Sequence, residues 1–191
     1  MMNLSELIKK NRSTRRFYQD YIIERQTLVD LVDLARNSAS GSNKQPLKFY
    51  LSYDADTNAK IFEQVKWAGY LEDWDGPVEG EKPSAYILII GDKDITDSFG
   101  VDHGIAAQSI MLGAVERGLG GCIMGSIKRV NLMGDLKFPD RYHILLVLAL
   151  GKPKESVVIE NLEPGGDIKY WRDNQGVHHV PKRNLDELII N

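Results

Sequence analysis

A mixed helix-and-sheet domain, with buried strands at the middle of its sheet, is the fold class the sequence predicts. Three observations predict it. Residues 85–90 and 144–150 are continuous apolar runs of the length a strand has when both its faces are covered. Between them, residues 102–117 are rich in Ala, Gly, Ile, Met and Leu with few charges, the composition of a helix buried nearly all round. Ahead of them, Leu4, Leu7 and Ile8, then Leu28, Leu31, Val32 and Ala35, recur three and four apart, which marks two amphipathic helices.

The remaining elements follow in chain order. Asn3 and Asn37 bracket the two helices, and residues 11–23 between them form a basic connector. Residues 47–53 alternate apolar and polar positions and predict a strand, with a helix to follow around 59–67. Residues 69–83 mix aromatic and acidic side chains with glycine and proline, so they predict a surface loop or lid. The long apolar helix ends at Gly118, where a left-handed cap is expected. Its burial is expected to come from a second subunit. Residues 152–183 are polar and interrupted by Gly and Pro, yet contain Val157, Val158, Ile159, Tyr170 and Trp171; such a stretch predicts an arm that packs on another copy. The whole of 1–191 is therefore one domain, with 152–191 as its C-terminal arm.

Composition narrows the classes. With 191 residues, 42% of them hydrophobic, the chain can build a sufficient core without disulfides or a structural metal. The single cysteine, Cys122, excludes an internal disulfide and suits a reducing cytoplasm. The N-terminus shows no export signal and no run is long enough for a membrane helix, so a cytoplasmic protein without membrane contact is expected. A net charge of -3 argues against a general nucleic-acid binder.

Four segments could carry chemistry. NRSTRRF (11–17), with Lys9 and Lys10, sets five cations within eight positions beside Ser13 and Thr14. Guanidinium groups grip phosphate through paired N–H donors, although a solvated basic turn has the same composition. SASGSNKQP (38–46) offers small residues for close approach, with Asn43 and Gln45 carrying carboxamides suited to an imide edge; it also reads as a plain polar loop. GLGGCIMGS (118–126) fails the G-x-G-x-x-G pattern, but its backbone could lie against a flat ring; Cys122 there reads as a small buried hydrophobe. In HHVPKR (178–183), His178 and His179 point to opposite faces of an extended segment and are poorly placed to share a metal, so no metal site is expected. Lys182 and Arg183 could close on a phosphate.

The order of these segments, NRSTRRF, then SNKQP before a strand, then GIAAQSIMLGAVERGLGGCIMGS, then LLVLALGKP, resembles the FMN-dependent nitroreductase family over roughly 11–183. The resemblance implies an α+β fold with a central, mostly antiparallel sheet flanked by helices, and an intertwined homodimer with FMN at the subunit interface. By position it implies that Arg12, Ser13 and Arg15 hold the phosphate and ribityl chain, with Lys182 and Arg183 as later phosphate partners. Ser40, Asn43 and Gln45 would line the flavin, and Gly125 and Ser126 would lie near its N5. Asn11 stands where many members have Arg, Leu47 where many have Trp, and Ala39-Ser40 where many have Pro-Ser.

The implied activity is FMN-dependent oxidation of NADH or NADPH, with ping-pong hydride transfer to small-molecule acceptors such as nitroaromatics or quinones. No side-chain catalyst is then required. Trp67, Tyr70, Leu71 and Trp74 are candidates for the wall that selects the acceptor. The alternatives are a flavin-binding or sensing module without turnover, and a specialised reductive dehalogenase or flavin-degrading relative.

Overall fold

The computed structural model describes residues 2–191. Its first helix, α1 (Leu4–Lys10), is closed by a reciprocal cap: Asn3 Oδ1 accepts from the Glu6 N–H at 3.0 Å, and Glu6 Oε2 accepts from the Asn3 N–H at 2.8 Å. The two-residue strand β1 (Phe17–Tyr18) follows, then α2 (Arg25–Arg36) and β2 (Leu47–Ser52). The next helix, α3 (Ala55–Glu63), starts earlier than the 59–67 predicted. Asp54 caps it by accepting from the Thr57 N–H, and it ends before Val65 because that residue bridges to Ile127.

Strand β3 (Ala85–Asp92) and helix α4 (Asp102–Glu116) match the predicted buried run and apolar helix. Gly118 adopts φ 72°, as its capping role requires. Strand β4 (Gly120–Met124), a short helix α5 (Arg129–Asp135) that the sequence did not announce, and strand β5 (Tyr142–Pro153) complete the body.

β5 is the hub of a wholly antiparallel sheet. Along one edge it pairs with β3, which pairs in turn with β2; along the other it pairs first with β4, at Val147 to Gly151, and then with β1, at Lys152 and Pro153. Ile87, Ile89, Leu148 and Leu150 face α2 and α4, whereas Tyr86, Leu88, Ile90, Val147 and Ala149 face α3 and α5. Both faces are covered, which is why the central runs 85–90 and 144–150 of these strands have no charged position. Each of the fully buried Ile and Leu side chains contributes about 1.5–3 kcal/mol. Much of the burial of α4 comes from this chain's own α2 and sheet rather than from a second copy: Ala106, Ala107, Ile110, Met111 and Ala114 pack with Leu28, Leu31 and Ile87. Val101 and Ile105 remain exposed.

The segment predicted to lack clear elements contains three short strands. β6 (Val157–Asn161) runs parallel to β8 (His178–Lys182), and β7 (Trp171–Arg172) pairs antiparallel with β8. Tyr170 and Trp171 find partners in the same chain: Tyr170 lies 5.0 Å from Tyr70, centroid to centroid, and Trp171 stacks flat on His179 at 4.0 Å. Among the described residues no helix is long and apolar enough to cross a membrane.

Candidate active site

The basic connector is pinned at both ends before any ligand is considered. Ser13 bridges to Gly121, and the Thr14 N–H donates to the Gly121 carbonyl at 2.8 Å. Only glycine fits at 121, since a Cβ there would fall 2.2 Å from the Ala149 carbonyl oxygen. The Arg15 and Arg16 N–H groups both donate to Glu155, whose side chain is 1% exposed and also accepts from Arg172 Nη2 at 2.9 Å.

This framework sorts the cations. Arg16 is committed to Glu81 through two 2.6 Å contacts, with Lys154 at 3.2 Å, and the Arg16 hydrogen bonds hold the Glu81 carboxyl below the usual carboxylate range. Arg12, Ser13, Arg15 and Lys182, by contrast, line one cavity of about 270 Å³ together with Tyr170 and His178. No acidic side chain among the described residues lines it. Arg12 donates through Nη2 to the Ile8 carbonyl at 2.9 Å, its Nε is buried without a partner, and burial lowers the pKa of its guanidinium. Arg15 is 8% exposed, with the Tyr170 ring 4.8 Å from its Cζ and His178 Nε2 3.2 Å from its Nη1. A pocket with several guarded cations and no carboxylate suits a phosphate dianion.

The other candidates lie apart from this cavity within one protomer. Arg183 is half-exposed and pairs with Glu187 at 3.5 Å. Ser40 and Gln45 line a smaller cavity of about 160 Å³ beside Asp102 and Phe49. Asn43 does not line it, but its Oδ1 accepts from Gln45 Nε2 at 3.1 Å. Ser42, Asn43 and Gln45 all have φ between 51° and 54°, a left-handed run that non-glycine residues adopt only when held. Asp102 does the holding: Ser40 Oγ donates to its Oδ2 at 2.6 Å and the Gly41 N–H to its Oδ1 at 2.9 Å.

A third cavity, of about 620 Å³, is lined by Trp67, Leu71, Trp74 and Ser126, with Lys66 and Lys128. The Ser126 carbonyl accepts from the Lys66 N–H at 3.0 Å, and the Gly125 carbonyl from Arg129 Nη2 at 3.0 Å. Tyr70 stands outside this lining and clasps the arm through Tyr170. Arg172 does the same from the other side, 4.8 Å over the Trp74 ring. Burial pushes the Cys122 thiol up, in keeping with a packing role.

Sequence reasoning missed Gln108, Tyr170 and His178 in the first cavity and Asp102 and Glu155 behind the loops. Gln108 carried a signal, as a polar residue inside an apolar helix. Glu155 carried none.

The two histidines of β8 behave oppositely. Burial, with Arg15, Arg172 and His179 adding positive charge, pushes His178 down to about 4, so it is neutral. Hydrogen bonds to Glu160 and then Asp173 raise His179, so it holds its proton to higher pH. Unfolded histidine titrates near 6.5. The contribution of His178 is complete above that value and drains as pH falls toward 4, by up to about 3 kcal/mol. That of His179 is complete below about 6.5 and is lost as pH rises through its raised folded value. Proteolytic resistance of the ligand-free arm should therefore peak near pH 6.5; a monotonic profile from pH 5 to 9 would contradict this assignment of charge.

Comparison with known proteins bears on the same residues. The model of the family described as the nitroreductase family matches residues 8–152. A protein of Bacillus subtilis (strain 168), YodC, which by its given name is assigned as an NAD(P)H nitroreductase, is 19% identical over 90% of this chain and all of its own length. Among solved structures, a nitroreductase family protein from Streptococcus pneumoniae TIGR4 superposes with a TM-score of 0.71 at 17% identity, over 99% of this chain and 100% of the other. One from Clostridium novyi NT gives 0.66 at 25% identity over 80% and 88%. One from Exiguobacterium sibiricum 255-15, solved in complex with FMN, gives 0.68 at 18% identity over 81% and 90%. The α+β architecture with its antiparallel sheet and the match across most of the sequence agree, and the chain belongs to the nitroreductase family.

Proposed function

We propose that this protein is an FMN-dependent NAD(P)H oxidoreductase that reduces small acceptors of the nitroaromatic or quinone type. The observation that carries the reading is the acid-free cavity lined by Arg12, Arg15 and Lys182. A phosphomonoester supplies acceptor oxygens for several such cations at once. At about 270 Å³ the cavity is below the usual range of roughly 300–1,000 Å³ for whole ligands, so it suits the phosphate end of the cofactor and not its ring.

The chain's own residues divide the remaining tasks. Arg12, Arg15 and Lys182 hold the phosphate, and Ser13 meets the ribityl end. β4 leads from this cavity, at Gly121 and Ile123, to Ser126 in the wall of the cavity of about 620 Å³, so backbone near Gly125 and Ser126 is offered to the ring. Trp67, Leu71 and Trp74 exclude water and shape the acceptor space, while Tyr70 ties that wall to the arm. Ser40 and Gln45 line a separate cavity of the same protomer, with Asn43 beside Gln45, and their strained, Asp102-braced loop fits delivery to the cofactor of a second subunit. The exposed Val101 and Ile105 at the start of α4 and Leu185, Leu188 and Ile189 near the C-terminus support a homodimer in which the arm also contacts the partner. FMN, when bound, supplies hydride acceptance from NADH or NADPH and its delivery to the acceptor.

The test is purification of the protein, identification of any bound flavin, and measurement of NAD(P)H consumption with nitroaromatics and quinones. Yellow protein with acceptor-dependent turnover is expected. Colourless protein that FMN does not reconstitute would overturn the reading, and retained FMN without any NAD(P)H consumption would make it a binding module.

A further inference from the structure

We propose that His178 is a neutral member of the phosphate site, fixing Arg15 through one ring nitrogen and offering the other as a hydrogen-bond donor to the anion. The inference rests on the FMN reading above.

The geometry settles the two ring nitrogens in turn. A guanidinium has only donors, so His178 Nε2, 3.2 Å from Arg15 Nη1, must accept. A histidine that accepts at Nε2 carries its proton at Nδ1. That atom is buried and has no partner, although His178 is 1% exposed and lines the cavity with Arg12, Arg15 and Lys182. An unmatched buried donor is costly and calls for an acceptor.

The surroundings explain why the ring is neutral. Burial of the ring comes first; Arg15 from the connector, Arg172 from β7 and neighbouring His179 further disfavour a positive charge, and the acidic Glu155 is occupied by Arg172 and by the backbone of the connector. A neutral donor adds a contact to the anion without the repulsion a fourth cation would bring. The position of the ring is itself fixed: its N–H backbone group donates to the Ser156 carbonyl at 2.9 Å, and Tyr170 lies 5.2 Å away, centroid to centroid. His178 is thus a positioning residue toward Arg15 and a binding residue toward phosphate.

The experiment compares FMN with riboflavin, which lacks the phosphate, by titrating apoprotein of wild type, His178→Phe, His178→Gln and His178→Asn. His178→Phe should weaken FMN by about tenfold to a hundredfold while leaving riboflavin within about twofold, the loss expected for hydrogen bonds to charged groups. His178→Gln, which keeps an acceptor for Arg15, and His178→Asn, which keeps a donor near the Nδ1 position, should each recover part of the FMN affinity. Nitrogen NMR of the ligand-free wild type should show the Nδ1–H tautomer for this residue. Parallel losses for FMN and riboflavin, unchanged FMN affinity in both His178→Phe and His178→Asn, or an Nε2–H tautomer would each overturn the proposal. Wild type that binds neither flavin would instead defeat the FMN reading, and the tautomer measurement would still stand by itself.

Discussion

Replacing Arg15 with alanine is expected to weaken FMN binding by about tenfold to a hundredfold, the equivalent of roughly 1.5–3 kcal/mol for a charge-assisted contact. Arg15 is the most enclosed cation of the cavity, held under Tyr170 and against His178, so its guanidinium arrives oriented. Lysine at this position should recover little. It keeps the charge but loses the planar fork that meets two oxygens at once. Apoprotein titrated with FMN and riboflavin gives the answer: affinity for FMN that survives the alanine change removes Arg15 from the phosphate site.

Glu155→Ala should produce the largest loss of stability, about 3 kcal/mol, because it strands a partly buried Arg172 and two backbone donors. The carboxylate joins the basic connector at Arg15 and Arg16 to the arm at Arg172. Without it three partly buried donors have lost their common acceptor. In a domain of this size each kcal/mol corresponds to roughly 2–4 °C in Tm. Glu155→Gln keeps an acceptor oxygen and should lose visibly less. A melting temperature unmoved by the alanine change would mean that Arg172 and the connector find water or other partners readily.

The parts of the molecule visible in the sequence were those governed by local pattern. Residues 85–90 and 144–150 announced their strands because burial on both faces leaves no polar position, and α4 announced itself for the same reason. Asp54 moved the start of α3 because one capping hydrogen bond outweighs a weak apolar period, and the three strands of the arm are too short and too interrupted by Pro181, Gly165 and Gly176 to show a period at all. In the site, Arg12, Ser13, Arg15 and Lys182 were legible as a basic set that the fold does bring together. Arg16 looked equivalent to Arg15 in sequence and is not, since its partner Glu81 comes from the loop before β3. Such long-range pairing leaves no mark on neighbouring residues. The same holds for Glu155 and for the Asp102 brace of Ser40.

Because β4 and β1 lie end to end on one edge of β5, that strand acts as a ruler. Met124 sits opposite Val147 and Phe17 opposite Pro153, six residues apart, or about 20 Å at the usual rise. The turn at Gly125 and Ser126 and the cation cluster before Phe17 are thereby kept at a set interval by the backbone of a third element. A single-residue slip cannot adjust that interval, because it would turn the oily faces of β5 to the wrong layers. Evolution can retune what lies at either end of the gauge through its loops, while the length between them is inherited from the core.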